Sequence, residues 1–396
     1  MTELRNADCG LRVAWAPFAH PDAPMGYGVI ASKLSEALRS AGAEVLPSTA
    51  FGWDCVVAVS LPAAWPVGKH GRREDLVWHT MFDMDVLPPG WVEVLNRSAA
   101  VWVPSTWCRD VFAGNGVRVP VFVAGYGVDH STFYSKWTED NHKLTAESAK
   151  DAKQRSQRAE DGRPFRVLVW SQALVGRKNP LMALRAFMEC GFRADEAEIE
   201  IKVNANYGQG DVLGPDGSVL PNARVIAADW PASRVADWLR SGDVLVYLSG
   251  GEGFGLMPLE AMACGLPVIC AYNTGMMDYL TADNALLVPS VGKRKNVGYS
   301  VRFGVDCYEE TPDQDVASDL LRWCFEDRAA AAAVGRRAAE AAQAWTWQRA
   351  GERALLHLTE LFGGREGDAL PANGRCSERD MIAVRRPNSE VRQDGN

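Results

Sequence analysis

Residues 252–260, EGFGLMPLE, follow the apolar run DVLVYL at 243–248 and continue as AMACGLPVI. A short run rich in β-branched and aromatic residues predicts a strand buried on both faces of a parallel sheet. Ser249, Gly250 and Gly251 break that strand, and Gly251, Gly253 and Gly255 let backbone approach a ligand with no Cβ in the way. Pro258 suits a first helical turn, Glu260 to Cys264 continue the helix, and Gly265 with Pro267 stops it. Strand, glycine loop and helix start together make an anion site, because free N–H groups and the helix dipole point at one place. Glu252 and Glu260 would repel a phosphate unless they face something else. Sugar and ribose hydroxyls fit, since a carboxylate accepts from two neighbouring hydroxyls at once. With seven residues between them, Glu252 falls in the loop and Glu260 about one turn inside the helix, flanking one extended ligand.

Outward from this stretch, short apolar runs alternate with helical ones, the pattern of parallel α/β domains. LRVAWA (11–16), CVVAVS (55–60), LVWHT (76–80), AVWVPS (100–105) and VFVAG (121–125) read as strands of a first half. FRVLVW (165–170), EIKVNA (200–205), ARVIAA (223–228), DVLVYL, LPVICA (266–271) and ALLVP (285–289) read as strands of a second. The polar, charged segment 136–163 is expected to link the halves, and two such halves place a ligand between them at the carboxyl ends of their strands. The expected division is a first Rossmann-like domain at 1–135, the linker, a second such domain at 164–344, a helix at 345–362 and a disordered tail at 363–396.

At 396 residues the chain is long enough for two cores, and 47% hydrophobic with 23% charged residues is the balance of a globular protein. Net charge −8 gives no global attraction to a phosphate backbone, so nucleic acid is not an expected partner. Lys69 to Arg73 and Lys293 to Lys295 are local basic clusters, read mainly as solvated loops, with contact to anionic lipid or an anionic acceptor as the other reading. No apolar run approaches a membrane span and the first residues lack a leader's long apolar stretch, so a cytoplasmic protein is expected, with a peripheral membrane contact left open. Nine scattered cysteines without CxxC pairs and six dispersed histidines predict neither a disulfide framework nor a metal site.

The EGFG loop, the PLEAMACG helix and the E-x7-E spacing of Glu252 and Glu260 resemble the donor site of retaining glycosyltransferases of the GT-B fold, family 4 type, over most of residues 11–362. The resemblance implies two Rossmann-like domains facing each other across a cleft. It implies a UDP- or GDP-sugar as donor substrate, with no cofactor and no metal. It assigns Glu252 to the donor sugar, Gly253, Phe254, Gly255 and Leu256 to the diphosphate, and Glu260 to the ribose. In VGRKNP, Arg177 and Lys178 fall where the family places a basic residue on the diphosphate, and Lys178 would stabilise charge on the leaving phosphate. Many relatives carry an Arg six residues before this Lys, where this chain has Gln172.

In PMGYGVIASKL, Gly26, Tyr27 and Gly28 resemble the family's glycine loop at the cleft floor. His79 falls where relatives have a histidine facing the donor sugar, and Asp83 and Asp85 could meet acceptor hydroxyls. Asp278 stands where relatives carry a glutamate, while Trp345 and Trp347 are expected to be core packing. Sugar transfer with retained configuration follows from the resemblance. The acceptor, whether small molecule, glycan, lipid or protein, stays open, as does oligomeric state. The alternatives are a catalytically weak nucleotide-sugar-binding protein, which Gln172 leaves open, or a transferase acting on a protein or modified nucleic acid. An epimerase or phosphorylase of the same fold is disfavoured by the EGFG loop with PLEAMACG.

Overall fold

A computed structural model describes residues 11–17, 26–48, 53–62, 73–137, 163–207, 211–213 and 219–363. The basic residues 69–72, most of the linker expected at 136–163 and the tail beyond 363 lie outside the described residues.

In the first half, β1 (Arg12–Pro17), β2 (Glu44–Pro47), β3 (Cys55–Val59), β4 (Leu76–His79), β5 (Ala100–Val103) and β6 (Val121–Val123) form one sheet in the order β2-β1-β3-β4-β5-β6. Every pairing in it is parallel. Helices α1 (Gly26–Ala41), α2 (Trp91–Leu95) and α3 (Thr106–Gly114) cover its faces. Every residue of β3, β4 and β5 is buried, so the runs read as continuous apolar stretches, with Val77 and Trp78 facing the two opposite cores.

The second half contains β7 (Phe165–Trp170), α4 (Pro180–Glu189), β8 (Ala197–Val203), β9 (Asp211–Leu213), β10 (Val219–Ala227), α5 (Ala232–Ser241), β11 (Val244–Tyr247), α6 (Leu256–Ala263), β12 (Val268–Ala271) and β13 (Leu286–Val288). Its sheet runs β13-β12-β11-β7-β8-β10-β9, parallel except for β9 at the edge. From β7 the chain first builds outward through β8 and β10, then returns to lay β11 on the other side of β7, with Val246 opposite Val169. The loops leaving β7 and β11 therefore diverge at a topological switch point, where doubly wound sheets open a crevice. Arg177 and Lys178 follow β7, and Glu252 follows β11.

Past β13 the chain makes a hairpin, β14 (Ser290–Lys295) and β15 (Tyr308–Pro312), with α7 (Val297–Phe303) inserted between its arms. Lys293, Arg294 and Lys295 thus lie on a strand and not in a solvated loop. The segment SVGKRK has no apolar alternation, because neither face of this two-stranded ribbon joins a main sheet, and its strand signal is absent for that reason. Helices α8 (Gln314–Glu326), α9 (Arg328–Ala342) and α10 (Trp347–Phe362) complete the fold.

Helix α10 lies on α1 of the first half. Gly351 sits so close to α1 that a Cβ there would be 2.5 Å from the Ala37 carbonyl carbon and 2.6 Å from its oxygen. No helix among the described residues is long and apolar enough to cross a membrane. Gly351→Ala should lower stability by about 1–3 kcal/mol through overpacking, against the gain of roughly 1 kcal/mol that Ala normally brings to a helix. Chemical denaturation of the two proteins decides the sign.

Candidate functional site

Glu252 lies three residues after Ser249 in the loop from β11 and is 7% exposed. Its Oε1 accepts from the Lys178 ammonium at 2.8 Å, the Ser249 hydroxyl at 2.7 Å and the Tyr247 phenol at 2.8 Å, and it forms an ion pair with the Arg177 guanidinium at 2.8 Å. Burial alone would raise its pKa, but Arg177 and Lys178 outweigh that and hold the carboxylate well below the usual range. Lys178 also donates to the Tyr247 phenol oxygen at 2.5 Å. Oε2 has no partner among the described residues.

The backbone of this loop is held from the next strand connection. Glu252 N–H donates to the Thr274 hydroxyl at 2.9 Å, Gly275 N–H donates to the Glu252 carbonyl at 2.9 Å, and the Asn273 amide donates to the Ser249 carbonyl at 3.0 Å. Thr274 takes a left-handed φ of 50° to do so. Gly255 has φ 84° as it caps α6, and a Cβ there would be 2.7 Å from Met276 Cγ and 3.0 Å from the Tyr279 hydroxyl. Only glycine meets both constraints.

Glu260 sits one turn into α6, as the spacing predicted, but its environment differs from that of Glu252. No hydrogen bond or ion pair reaches its carboxylate among the described residues. Burial, with no counter-charge, pushes its pKa up to about 8. A carboxylate so placed holds a proton near neutral pH and gains most from a ligand that donates hydroxyl hydrogens to its charged form.

Asp83 closes the cluster from the first half. Its Oδ1 accepts from Gly253 N–H at 2.8 Å, and its Oδ2 accepts from the Tyr299 hydroxyl at 3.0 Å and pairs with the Arg177 guanidinium at 3.0 Å. Its carboxylate is thus bound to the glycine loop of the second half, where the sequence suggested acceptor hydroxyls. Arg177 thereby bridges Glu252 and Asp83, which keeps its pKa well above the ordinary value despite burial. Gln172 is exposed on the loop after β7.

Other residues singled out in the sequence take different places. Gly26, Tyr27 and Gly28 are the first turn of α1 and not an open loop. The Tyr27 hydroxyl instead braces the loop after β4, accepting from Met81 N–H at 3.3 Å and lying 3.4 Å from the Met81 carbonyl. His79 is fully buried: Nδ1 lies 3.3 Å from the Trp102 carbonyl and Nε2 3.3 Å from the Tyr126 hydroxyl. Both ring nitrogens have partners inside the first half, and burial pulls its pKa down to about 4.

Phe254 is 2% exposed and packs against Tyr126, Tyr279 and Trp345 with centroids 5.1, 5.5 and 5.7 Å away. Its side chain joins the halves instead of facing a ligand, and Leu256 begins α6. Trp345 and Trp347 belong to the same aromatic packing. Asp278 accepts from both the backbone N–H and the hydroxyl of Thr106 at the start of α3, another link between the halves. Among the described residues no group of three or more His, Cys, Asp or Glu is placed to hold a metal ion, and the seven described cysteines are free thiols.

Tyr247, Ser249, Thr274 and Tyr299 were not singled out as contacts of Glu252 and Asp83. Tyr247 and Ser249 lie in the strand and break already read, so their proximity to Glu252 could have been inferred. Tyr299 comes from the inserted helix α7, and nothing local in the sequence marks it.

Residues 223–353 match the family described as "Family 4 Glycosyltransferase in conflict systems". A D-inositol 3-phosphate glycosyltransferase of Kribbella flavida is 29% identical over 202 residues, 46% of this chain and 42% of that protein. Its namesake from Paenarthrobacter aurescens is 32% identical over 133 residues, 34% of this chain and 28% of that protein. The chain thus spans less than half the length of these curated relatives. HepE of Anabaena, crystallised with UDP and glucose, superposes with a TM-score of 0.61 at 15% identity over 88% of this chain and 100% of that one. Sucrose-phosphate synthase of Thermosynechococcus elongatus gives 0.61 at 14% identity, over 89% and 99%.

Glu260 holds its extra proton only in the folded chain, since its pKa of about 8 lies above the unfolded value of about 4.3. Its contribution makes stability fall as pH rises through that window and level off above it. Glu260→Gln should flatten this part of the stability profile. Equal slopes for variant and wild type in denaturation between about pH 5 and 8 would contradict the assignment.

Proposed function

From a chain with the GT-B fold, whose residues 223–353 are of the family 4 glycosyltransferase type, we propose a transferase that moves a sugar from a nucleotide-diphosphate sugar to an acceptor hydroxyl. The reading rests chiefly on one observation, the meeting of Arg177, Lys178 and Glu252 at the switch point between β7 and β11. A uridine or guanosine diphosphate sugar is the proposed donor, and a UDP-containing structural neighbour supports the first.

In this reading Glu260 accepts from the ribose hydroxyls, ionising as it does so. Arg177, Lys178 and the amides at the start of α6 take the diphosphate. Glu252 presents its uncommitted Oε2 to the sugar. The three hydrogen bonds and the Arg177 ion pair on Oε1, with the lowered pKa, make this carboxylate a weak nucleophile, so a covalent glycosyl-enzyme is not proposed. The bond from the anomeric carbon to the leaving phosphate oxygen breaks while the acceptor oxygen bonds the same face. The acceptor proton passes to that phosphate oxygen, and configuration is retained. Lys178 stabilises the charge that grows on the leaving group, without a metal in the proposed scheme.

A second reading, nucleotide-sugar binding with little turnover, is favoured by Gln172 in place of the usual arginine and by Asp83 on the Gly253 amide. A panel of UDP-, GDP- and ADP-sugars, read by thermal shift and by slow donor hydrolysis in the presence of chelator, separates the two. One donor should both stabilise and be hydrolysed, and Glu260→Ala should lose the stabilisation. Stabilisation without hydrolysis or transfer favours the binding reading. Once an acceptor is found, Lys178→Gln should lower kcat by about a hundredfold or more, and an inverted anomeric centre in the product, read by proton NMR coupling, would overturn the retaining scheme.

A further inference from the structure

Asp83 stands among the groups that would otherwise receive an anionic ligand: a backbone N–H of the glycine loop, a guanidinium and a phenol, all from the second half of the chain. We infer that the segment Thr80–Asp85 is a self-blocking arm of the donor site, in which the Asp83 carboxylate occupies a place meant for a phosphate oxygen and a donor diphosphate binds by displacing it. The inference rests on the proposed donor site and adds its regulation.

Charge favours the exchange. Arg177 and Lys178 are balanced by Glu252 and Asp83, so the buried cluster is neutral as it stands. A diphosphate entering beside an unmoved Asp83 would leave excess negative charge at low dielectric, whereas one that replaces Asp83 meets the cations it needs. Space points the same way. Gly253 N–H and Asp83 Oδ1 are 2.8 Å apart, and a Cβ on Gly251 would be 2.5 Å from the Asp83 carbonyl oxygen. No phosphate fits between the arm and the loop while they touch.

The hairpin β14–β15 with α7 acts as the clasp that keeps the arm in place. Tyr299 of α7 donates to Asp83 Oδ2, and Tyr299 and Phe303 pack on Phe82 with centroids 5.8 and 5.1 Å away. At the rim, Asp85 accepts from Tyr308 N–H at 3.2 Å and from the Lys293 ammonium at 3.4 Å. Lys293 is about half exposed, and ion pairs of that kind are weak enough to break when a ligand competes.

Isothermal titration of UDP, GDP and inorganic pyrophosphate into the full chain, with hydrogen exchange followed by mass spectrometry, tests the arm. Asp83→Asn keeps the shape and removes the competing charge, and it should bind the preferred diphosphate about tenfold more tightly than wild type. Tyr299→Phe, which loosens the clasp from another segment, should tighten binding by a smaller factor. In the wild type, amide exchange in residues 80–85 should rise when the diphosphate is added. If wild type binds a diphosphate and Arg177→Gln weakens it, yet Asp83→Asn binds no tighter and exchange in the arm is unmoved, this inference falls while the donor site stands. Folded wild type and Asp83→Asn that both ignore all three probes would remove the donor-site reading and the arm with it.

Discussion

A carboxylate cut off from water must be met by cations and donors, and the buried Glu252 is where this chain meets that demand. Four groups converge on one of its oxygens, and each comes from a place the backbone must deliver: Tyr247 and Ser249 from β11 and its exit, Arg177 and Lys178 from the exit of β7. Removing one partner of such a buried pair typically costs about 3–5 kcal/mol, because the charge left behind has no solvent to turn to. The loop geometry follows from the same need. Thr274 accepts a left-handed φ and Gly275 approaches the Glu252 carbonyl so that the carboxylate stays in register with its cations.

The two carboxylates of the EGFGLMPLE stretch end in opposite electrostatic states for reasons of packing alone. Glu252 is ionised by its cations, whereas Glu260, one turn into α6, is half-buried without one and has its pKa pushed up to about 8. In the proposed transferase the first is a fixed element of the site. The second changes charge when hydroxyls arrive, which couples ligand binding to proton release.

The halves are joined through the same loop. Phe254 enters an aromatic cluster with Tyr126 and Trp345, Gly253 N–H meets Asp83, and Asp278 receives two donors from Thr106. Helix α10 adds a second tie by lying on α1, where Gly351 removes the side chain that would hold the helices apart. In the proposed transferase the glycine-rich stretch serves ligand approach and contact between the halves together, and the inferred self-blocking arm follows from that double use.

By itself the sequence determined the elements whose signals are local. The fully buried strands, the helix opened after Gly255, the spacing of Glu252 and Glu260 and the basic pair 177–178 are written in apolar runs, glycines and short distances along the chain. Tertiary structure alone decided which distant groups meet. His79 was legible as a strand end but not as a core residue whose ring is satisfied by Trp102 and Tyr126. Gly26 to Gly28 read as a loop because glycine marks a turn as readily as a tight helix start. Asp83, Tyr299 and Asp278 come together with partners 170 or more positions away, with one exception, the Arg177–Asp83 pair, and no periodicity records such pairings. They are set by how two sheets and an inserted hairpin pack, a sum over many weak contacts, and the chemistry of any one residue does not reveal it.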